Sequence, residues 1–267
     1  MNTSTIDIGY LALAAGYLLL IIPILLILYY RVKLLKSMLV SILRMTVQLL
    51  LVGFYLQFIF QLNLWWLNLL WLLVMAGAAD LSIIHSAGVT VRKFALPLFV
   101  AVLAGTAVPL AFFLSVILQL PYLFEAQYFI PIAGMIMGNC LRASIIGLSD
   151  FYRSIYQEEK AYQLLLAQGA NLQEAVLPYA RRAYHAALNP TIASMATIGL
   201  VALPGMMTGI IMGGASPMTA IKYQIAIMIA IFVGTALTVL LSIRLTRRGS
   251  FTAYGTLDPA IFTEKPA

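Results

Sequence analysis

Two groups of residues in this sequence carry polar or backbone chemistry inside otherwise apolar stretches. The first is Asn139 and Arg142 in GNCLRAS (138–144), spaced i and i+3 and sharing a helical face with Met135. Polar groups in hydrocarbon cost free energy unless they meet a partner or a cavity, so these positions are expected to point into a bundle. Two readings of Arg142 stand side by side. Either it is deep and held by a carboxylate, carbonyls or water, or it snorkels to the nearer interface along its own stem. The second group is Pro204, Gly205, Met206, Met207 and Thr208 in LPGMMTG (203–209). Proline removes an amide donor and glycine weakens a helix, which predicts a kink or break there. Irregular backbone at membrane depth survives only against protein or a water-filled cavity, so this segment marks a transport route, with the Thr208 hydroxyl available to it.

Other chemistry is weaker or missing. Twelve methionines include Met135, Met137, Met206, Met207, Met212 and Met218 near these two groups. Thioethers suit a soft cation such as Cu(I), but methionine is also ordinary core filler, and filler is the favoured reading. His85 and His185 lie far apart and fit no metal motif, and no metal ligand set is assigned. The single Cys140 excludes an internal disulfide. No G-x-x-x-x-G-K-[ST], G-x-S-x-G or H-E-x-x-H is present, so neither nucleotide hydrolysis nor common hydrolase chemistry has a signature in this chain.

The elements that position these groups follow from composition. Of 267 residues, 63% are apolar and 9% charged, which excludes an ordinary soluble domain. Apolar stretches at 9–30, 46–62, 64–79, 96–118, 128–148, 190–212 and 221–243 predict an all-α polytopic membrane protein of seven spans. The formal charge of +7 is read as membrane-facing loops, with no nucleic acid as partner. Of sixteen Lys and Arg, all except Arg142 and Lys222 fall in segments 31–45, 80–95, 149–189 and the tail after 243. That alternation places the N-terminus outside and the C-terminus in the cytoplasm, with Trp65 and Trp66 at the outer interface beside a tight turn at Asn63. Asp80 is placed at a span end, and Asp7, Glu125 and Asp150 in or near loops.

Residues 1–267 form one transmembrane domain whose longest connection, 149–189, has about 41 residues and is too short for a nucleotide-hydrolysing domain. Residues 150–168 extend the fifth span. Gly169 suits the left-handed position after a helix, and Asn171 with Glu174 reads as a capping box opening a new helix. Pro178 is expected to limit that helix to about seven residues, giving a short docking element held crosswise below the bundle, as an alternative to an ordinary loop helix. The following stretch carries Arg181, Arg182 and His185, which face lipid phosphates or a partner's carboxylates. Asn189 and Pro190 then read as the N-cap and first residue of the sixth span.

From Met135 to Arg244, GNCLRAS, AQGANLQEAVLPYARRA (167–183), NPTIASMATIGLVALPGMMTG (189–209) and YQIAIM (223–228) resemble the FetB-type iron-export ABC permease family, which also includes plant membrane proteins of aluminium tolerance. The resemblance implies a permease subunit in the cytoplasmic (inner) membrane, working with a separate cytoplasmic ABC ATPase as two of each. ATP and Mg would sit on the partner, with no cofactor in this chain. It implies that Gly169, Asn171, Leu172, Glu174, Ala175 and Leu177 couple to the ATPase, while Asn139, Arg142, Pro204, Gly205, Met206, Met207 and Thr208 form the pathway for iron or another metal. The rival functions are a gradient-driven secondary transporter, disfavoured by the scarcity of carboxylates within spans, and a non-transporting scaffold.

Overall fold

A computed structural model describes residues 8–263; Asp7 and Lys265, which enter the loop and charge assignments, lie outside that range. Among the described residues the fold is all helical, with only isolated β-bridges. We number the helices α1 (Tyr10–Tyr29, with a 3₁₀ turn at Tyr17–Leu20), α2 (Leu35–Leu62), α3 (Trp65–Ala87) and α4 (Val91–Ile117, ending in a π-helical turn). They continue with α5 (Ala126–Gln157), α6 (Glu159–Ala167), α7 (Leu172–Thr197), α8 (Gly205–Met212) and α9 (Pro217–Ser250). Six of these, α1 to α5 and α9, are long and apolar enough to cross a membrane.

The core is built by α3, α4, α5 and α9, and α7 lies along α5 and α9. Two features of sequence allow this packing. Glycines let α4 and α9 approach backbone to backbone at Gly105 and Gly234. Small hydroxyl residues line the buried side of α9 at Thr235, Thr238, Ser242, Thr246 and Ser250. Most of these hydroxyls are satisfied by carbonyls one turn back, such as Thr238 on Gly234 (2.7 Å) and Thr246 on Ser242 (2.6 Å), while the Ser242 hydroxyl is buried without a partner. Tyr152 of α5 adds its hydroxyl to Thr246 at 2.8 Å. By contrast, α1 and α2 bury nothing within the chain over their most apolar windows.

The expected sixth span, 190–212, is not one helix. The helix containing Asn189 and Pro190 begins at Leu172, runs through Pro178 and Pro190, and ends at Thr197. Pro178 therefore does not end a short crosswise helix, and Asn189 is not an N-cap. A proline in an isolated helix costs about 3 kcal/mol. Here burial of Val176, Tyr179, Ala183, Ala187 and Leu188 against α5 and α9 holds the helix together despite two missing donors. Its 26 residues make it about 39 Å long. It runs antiparallel to α9, with the Tyr184 hydroxyl donating to the Ala236 carbonyl at 3.3 Å.

At the end of the bundle where α5 and α9 finish, the chain builds a platform. Helix α6 ends in a Schellman turn, with Gly169 at φ +94° and the amides of Gly169 and Ala170 reaching the carbonyls of Leu166 and Leu165. The capping box is formed as expected: Glu174 N–H donates to Asn171 Oδ1 at 3.0 Å, and Asn171 N–H to Glu174 Oε2 at 2.9 Å. The segment after Ser250 folds back under the bundle. The Thr90 amide donates to Ile261 O (2.8 Å), Lys93 pairs with Asp258, and Tyr162 donates to Gly255 O. Burial of Tyr162 among Tyr179 and Phe251 pushes its hydroxyl up to about 12, so it remains a donor at physiological pH.

The hydrogen bond and charge of Lys93 hold the Asp258 carboxyl below the usual carboxylate range. A lowered folded-state value contributes stability that is complete above the ordinary Asp pKa of about 3.9 and is lost as pH falls through the folded value. Acidification across that window is expected to release the tail. Asp258→Asn should release it at neutral pH, read as faster proteolytic cleavage after Ser250; cleavage at the wild-type rate would show that the ion pair does not hold the tail.

Candidate functional site

The break predicted near LPGMMTG lies just before it. Ile198 to Leu203 leave helical geometry, Gly199 takes φ +86°, and Pro204 is the N-cap of α8. Gly205 is the first residue of α8 and Gly209 lies within it, so the glycines permit the turn into a short helix instead of breaking one. Met207 and Pro204 line a cavity of about 420 Å³ between the end of α7, the break, α8 and the first half of α9. Met195, Leu203, Ile225 and Met228 supply most of the remaining apolar wall. The polar exception is Gln224, 6% exposed, whose Oε1 has no hydrogen-bond partner. An unpartnered buried amide oxygen costs about 1–3 kcal/mol, a penalty that a bound donor would remove.

Not every pathway residue identified from sequence joins this groove. Thr208 is half-buried, and its hydroxyl is already donated to Gly205 O (2.9 Å) on its own helix. Met206 packs on the core and does not line the groove. Asn139 and Arg142 sit elsewhere, on α5. Asn139 Nδ2 turns back to Met135 O at 2.8 Å, and Arg142 is exposed with no acidic partner among the described residues. Helix α5 continues for about four turns beyond Arg142, in keeping with the expected extension of the fifth span past the membrane. The expectation of an inward-pointing pair is therefore corrected for Arg142, while Asn139 is half-buried; among the described residues the buried polar side chains are Asn68, Asp80, Thr106, Ser144, Ser154, Gln224 and the α9 hydroxyls.

Three residues escaped sequence reasoning. Gln224 falls at the edge of the apolar stretch 221–243, yet Ser216 caps α9 and Pro217 starts it, which puts Gln224 about two turns inside the helix. A polar residue in IKYQIAIM was the available signal. Met195 looked like filler, and Met228 was one more apolar residue in its span. Asp80 is also deeper than placed: α3 runs on to Ala87, and Asp80 is 4% exposed with Oδ1 unpartnered.

Of the residues expected to contact a partner, Asn171 and Glu174 are exposed on the platform, as is Gly169 in its turn, and Leu172 is half-buried. Ala175 is fully buried and belongs to the packing of α7, so it offers no surface. Leu177 is exposed on the neighbouring side of α7.

A broken helix beside an apolar cavity in a multi-pass chain is a transporter's arrangement, and comparison with known proteins agrees. The sequence matches the uncharacterised protein family UPF0014 over residues 10–251. It is 33% identical over 248 residues to the probable iron export permease protein FetB of Escherichia coli, covering 93% of each chain. The chain belongs to the UPF0014 family. Other relatives include the protein ALUMINUM SENSITIVE 3 of Arabidopsis thaliana, 35% identical over 224 residues (82% of this chain, 79% of the relative). YjkA of Bacillus subtilis is 30% identical over 249 residues (93% of this chain, 98% of the relative). No solved structure matches. The family match begins at the first residue of α1 and ends one residue past α9, so it covers the broken segment, α6 and the start of α7 but not the tail after Phe251.

Proposed function

We propose that this chain is the transmembrane permease subunit of an ATP-driven exporter, a reading carried by one observation: the α7–α8 break opens an apolar groove against a buried, unpartnered Gln224. In this reading the N-terminus is outside and the platform of α6, the Gly169 turn and the start of α7 faces the cytoplasm, where a separate ABC ATPase docks on Asn171, Leu172 and Glu174. Two permease copies assemble with two ATPase copies, and the apolar surfaces of α1 and α2 are available to the second copy. Nucleotide binding by the ATPase moves the platform, and α7, continuous from the platform to the break, carries that movement about 39 Å to the groove. Movement follows only if the platform binds the two ATPase conformations with different free energy.

The cargo is iron or another metal. The groove offers thioethers and one amide oxygen and no carboxylate, whereas iron prefers oxygen and nitrogen ligands. An iron cargo therefore crosses with its own ligands, and Gln224 meets a donor on that ligand shell. Proteoliposomes holding the chain and its ATPase, loaded with ferrous iron plus citrate, are expected to show ATP-dependent efflux that Gln224→Leu lowers at least tenfold without lowering thermal stability. Efflux that is equal in the Gln224→Leu variant, or that needs no ATPase, would overturn this reading.

A gradient-driven transporter is the second reading, and Asp80 favours it as a buried carboxylate within a span. Uptake or efflux by the chain alone under a proton gradient, abolished in Asp80→Asn, would establish it in place of the first.

A further inference from the structure

A second groove, of about 450 Å³, lies between α7 and α9 toward the platform end, apart from the groove at the α7–α8 break. Its walls are Leu177, Leu188 and Ile192 of α7 with Leu240 and Ile243 of α9. From Leu177 to Ile192 it extends about 22 Å along the helix. Arg181 stands about one turn from the Leu177 end, with His185 one turn further on near the middle; Tyr184 and Asn189 are the other polar lining residues, and no acidic side chain lines the groove. The two neighbouring arginines are used differently. Arg182 is committed to protein carboxylates, at 3.2 Å from Glu158 and 3.6 Å from Asp150. Arg181 is exposed and has no acidic partner among the described residues. The sequence-level grouping of Arg181, Arg182 and His185 as one cationic surface thus separates into a structural arginine and a free one at the mouth of a groove.

We propose that this groove is a binding site for one anionic phospholipid, with an acyl chain along Leu188, Ile192 and Leu240 and the phosphate on Arg181. The charge pattern selects this occupant. A long, mostly apolar channel with its one arginine toward the platform end matches a molecule with an apolar tail and an anionic head. A second protein helix would leave Arg181 facing it without a stated acid. The groove also lies in the surface that α7 presents beside α9, so an occupant there bears on the helix that joins the platform to the break.

The test uses the purified full-length chain in mixed micelles with phosphatidylglycerol or phosphatidylcholine, and counts retained lipids by native mass spectrometry. The wild type is expected to retain one phosphatidylglycerol in preference to phosphatidylcholine. Arg181→Gln should reduce that preference about tenfold, and Leu240→Trp, at an exposed wall position, should displace the lipid by filling the channel. Arg248→Gln, which removes an exposed cation outside the groove, should leave retention unchanged. Inorganic phosphate at millimolar concentration should not compete, because the tail contributes to binding. Equal retention in Arg181→Gln, equal retention of the two lipids, or loss of the same size in Arg248→Gln would overturn the proposal. So would competition by phosphate alone, or cross-linking of Leu240 to a second copy of the chain in place of lipid. Thermal midpoints of the three variants are recorded alongside; if Leu240→Trp unfolds, the Arg181→Gln and Arg248→Gln pair still decides the result.

Discussion

A Gly234→Val variant is expected to leave almost no folded protein in the membrane, the largest effect of any single substitution considered. A Cβ on Gly234 would sit 2.8 Å from the carbonyl oxygen of Gly105 and 2.8 Å from Ile136 Cγ2, with Cys140 Sγ at 3.3 Å. The obstruction on one side is backbone, which has no rotamer to escape into. The opposite glycine is equally confined: a Cβ on Gly105 would run into the Thr238 side chain and come within 3.0 Å of the Gly234 carbonyl. Overpacking a tight core costs about 1–3 kcal/mol when side chains can shift, and more where two backbones must separate. Apolar burial gives no compensation in a bilayer, because helix association there depends on close packing. Gly138→Ala is the control, since a Cβ there meets nothing within 4 Å. Gel filtration of the tagged protein should show a normal peak for the control and loss or aggregation for Gly234→Val. A normal peak for both would mean that α4 and α9 do not cross at these glycines.

If the proposed function holds, lysine at Glu174 or Leu172 is expected to uncouple the chain from the partner ATPase while leaving insertion intact. Coupling between sites is typically about 1–3 kcal/mol, so stimulation of ATP hydrolysis by the permease should fall about 5- to 150-fold. Part of any effect of Glu174→Lys comes from the capping box, worth about 1 kcal/mol, and from a positive charge at a helix N-terminus. Glu174→Gln separates the two contributions. Glutamine at this position still reaches the Asn171 amide, so the cap survives and stimulation should stay near wild type. Unchanged stimulation in Glu174→Lys and Leu172→Lys would remove the platform from the coupling path. A parallel loss in Glu174→Gln would locate coupling in the charge and not in the shape of the turn.

The capping box, the Gly169 turn and the tight turn at Asn63 were legible in the sequence because each depends on residues within a few positions of one another. Membrane character was legible for a related reason: runs of about twenty apolar residues have few other stable environments. The length of α7 was not legible. Pro178 and Pro190 obey a local rule that predicts helix ends, and the contacts that override it lie on α5 and α9, far away in the chain. The direction of polar side chains was also misjudged. Asn139 and Arg142 share a face, as their spacing required, but which face of α5 meets its neighbours depends on how α3, α4 and α9 pack.

By itself the sequence determined that this protein crosses a membrane with helices, that turns lie at Asn63 and Gly169 and a capping box at Asn171, and that the stretch around Pro204 disrupts regular helix. These properties follow from solvent preference and short-range hydrogen bonding, both set by neighbouring residues. Only the tertiary structure decided that α7 is continuous from the platform to the break, that Gln224 is the unpaired polar group in the resulting groove, and that Arg182 is bound while Arg181 is free. Each of those depends on which distant helices approach one another, and packing across the bundle sets that approach.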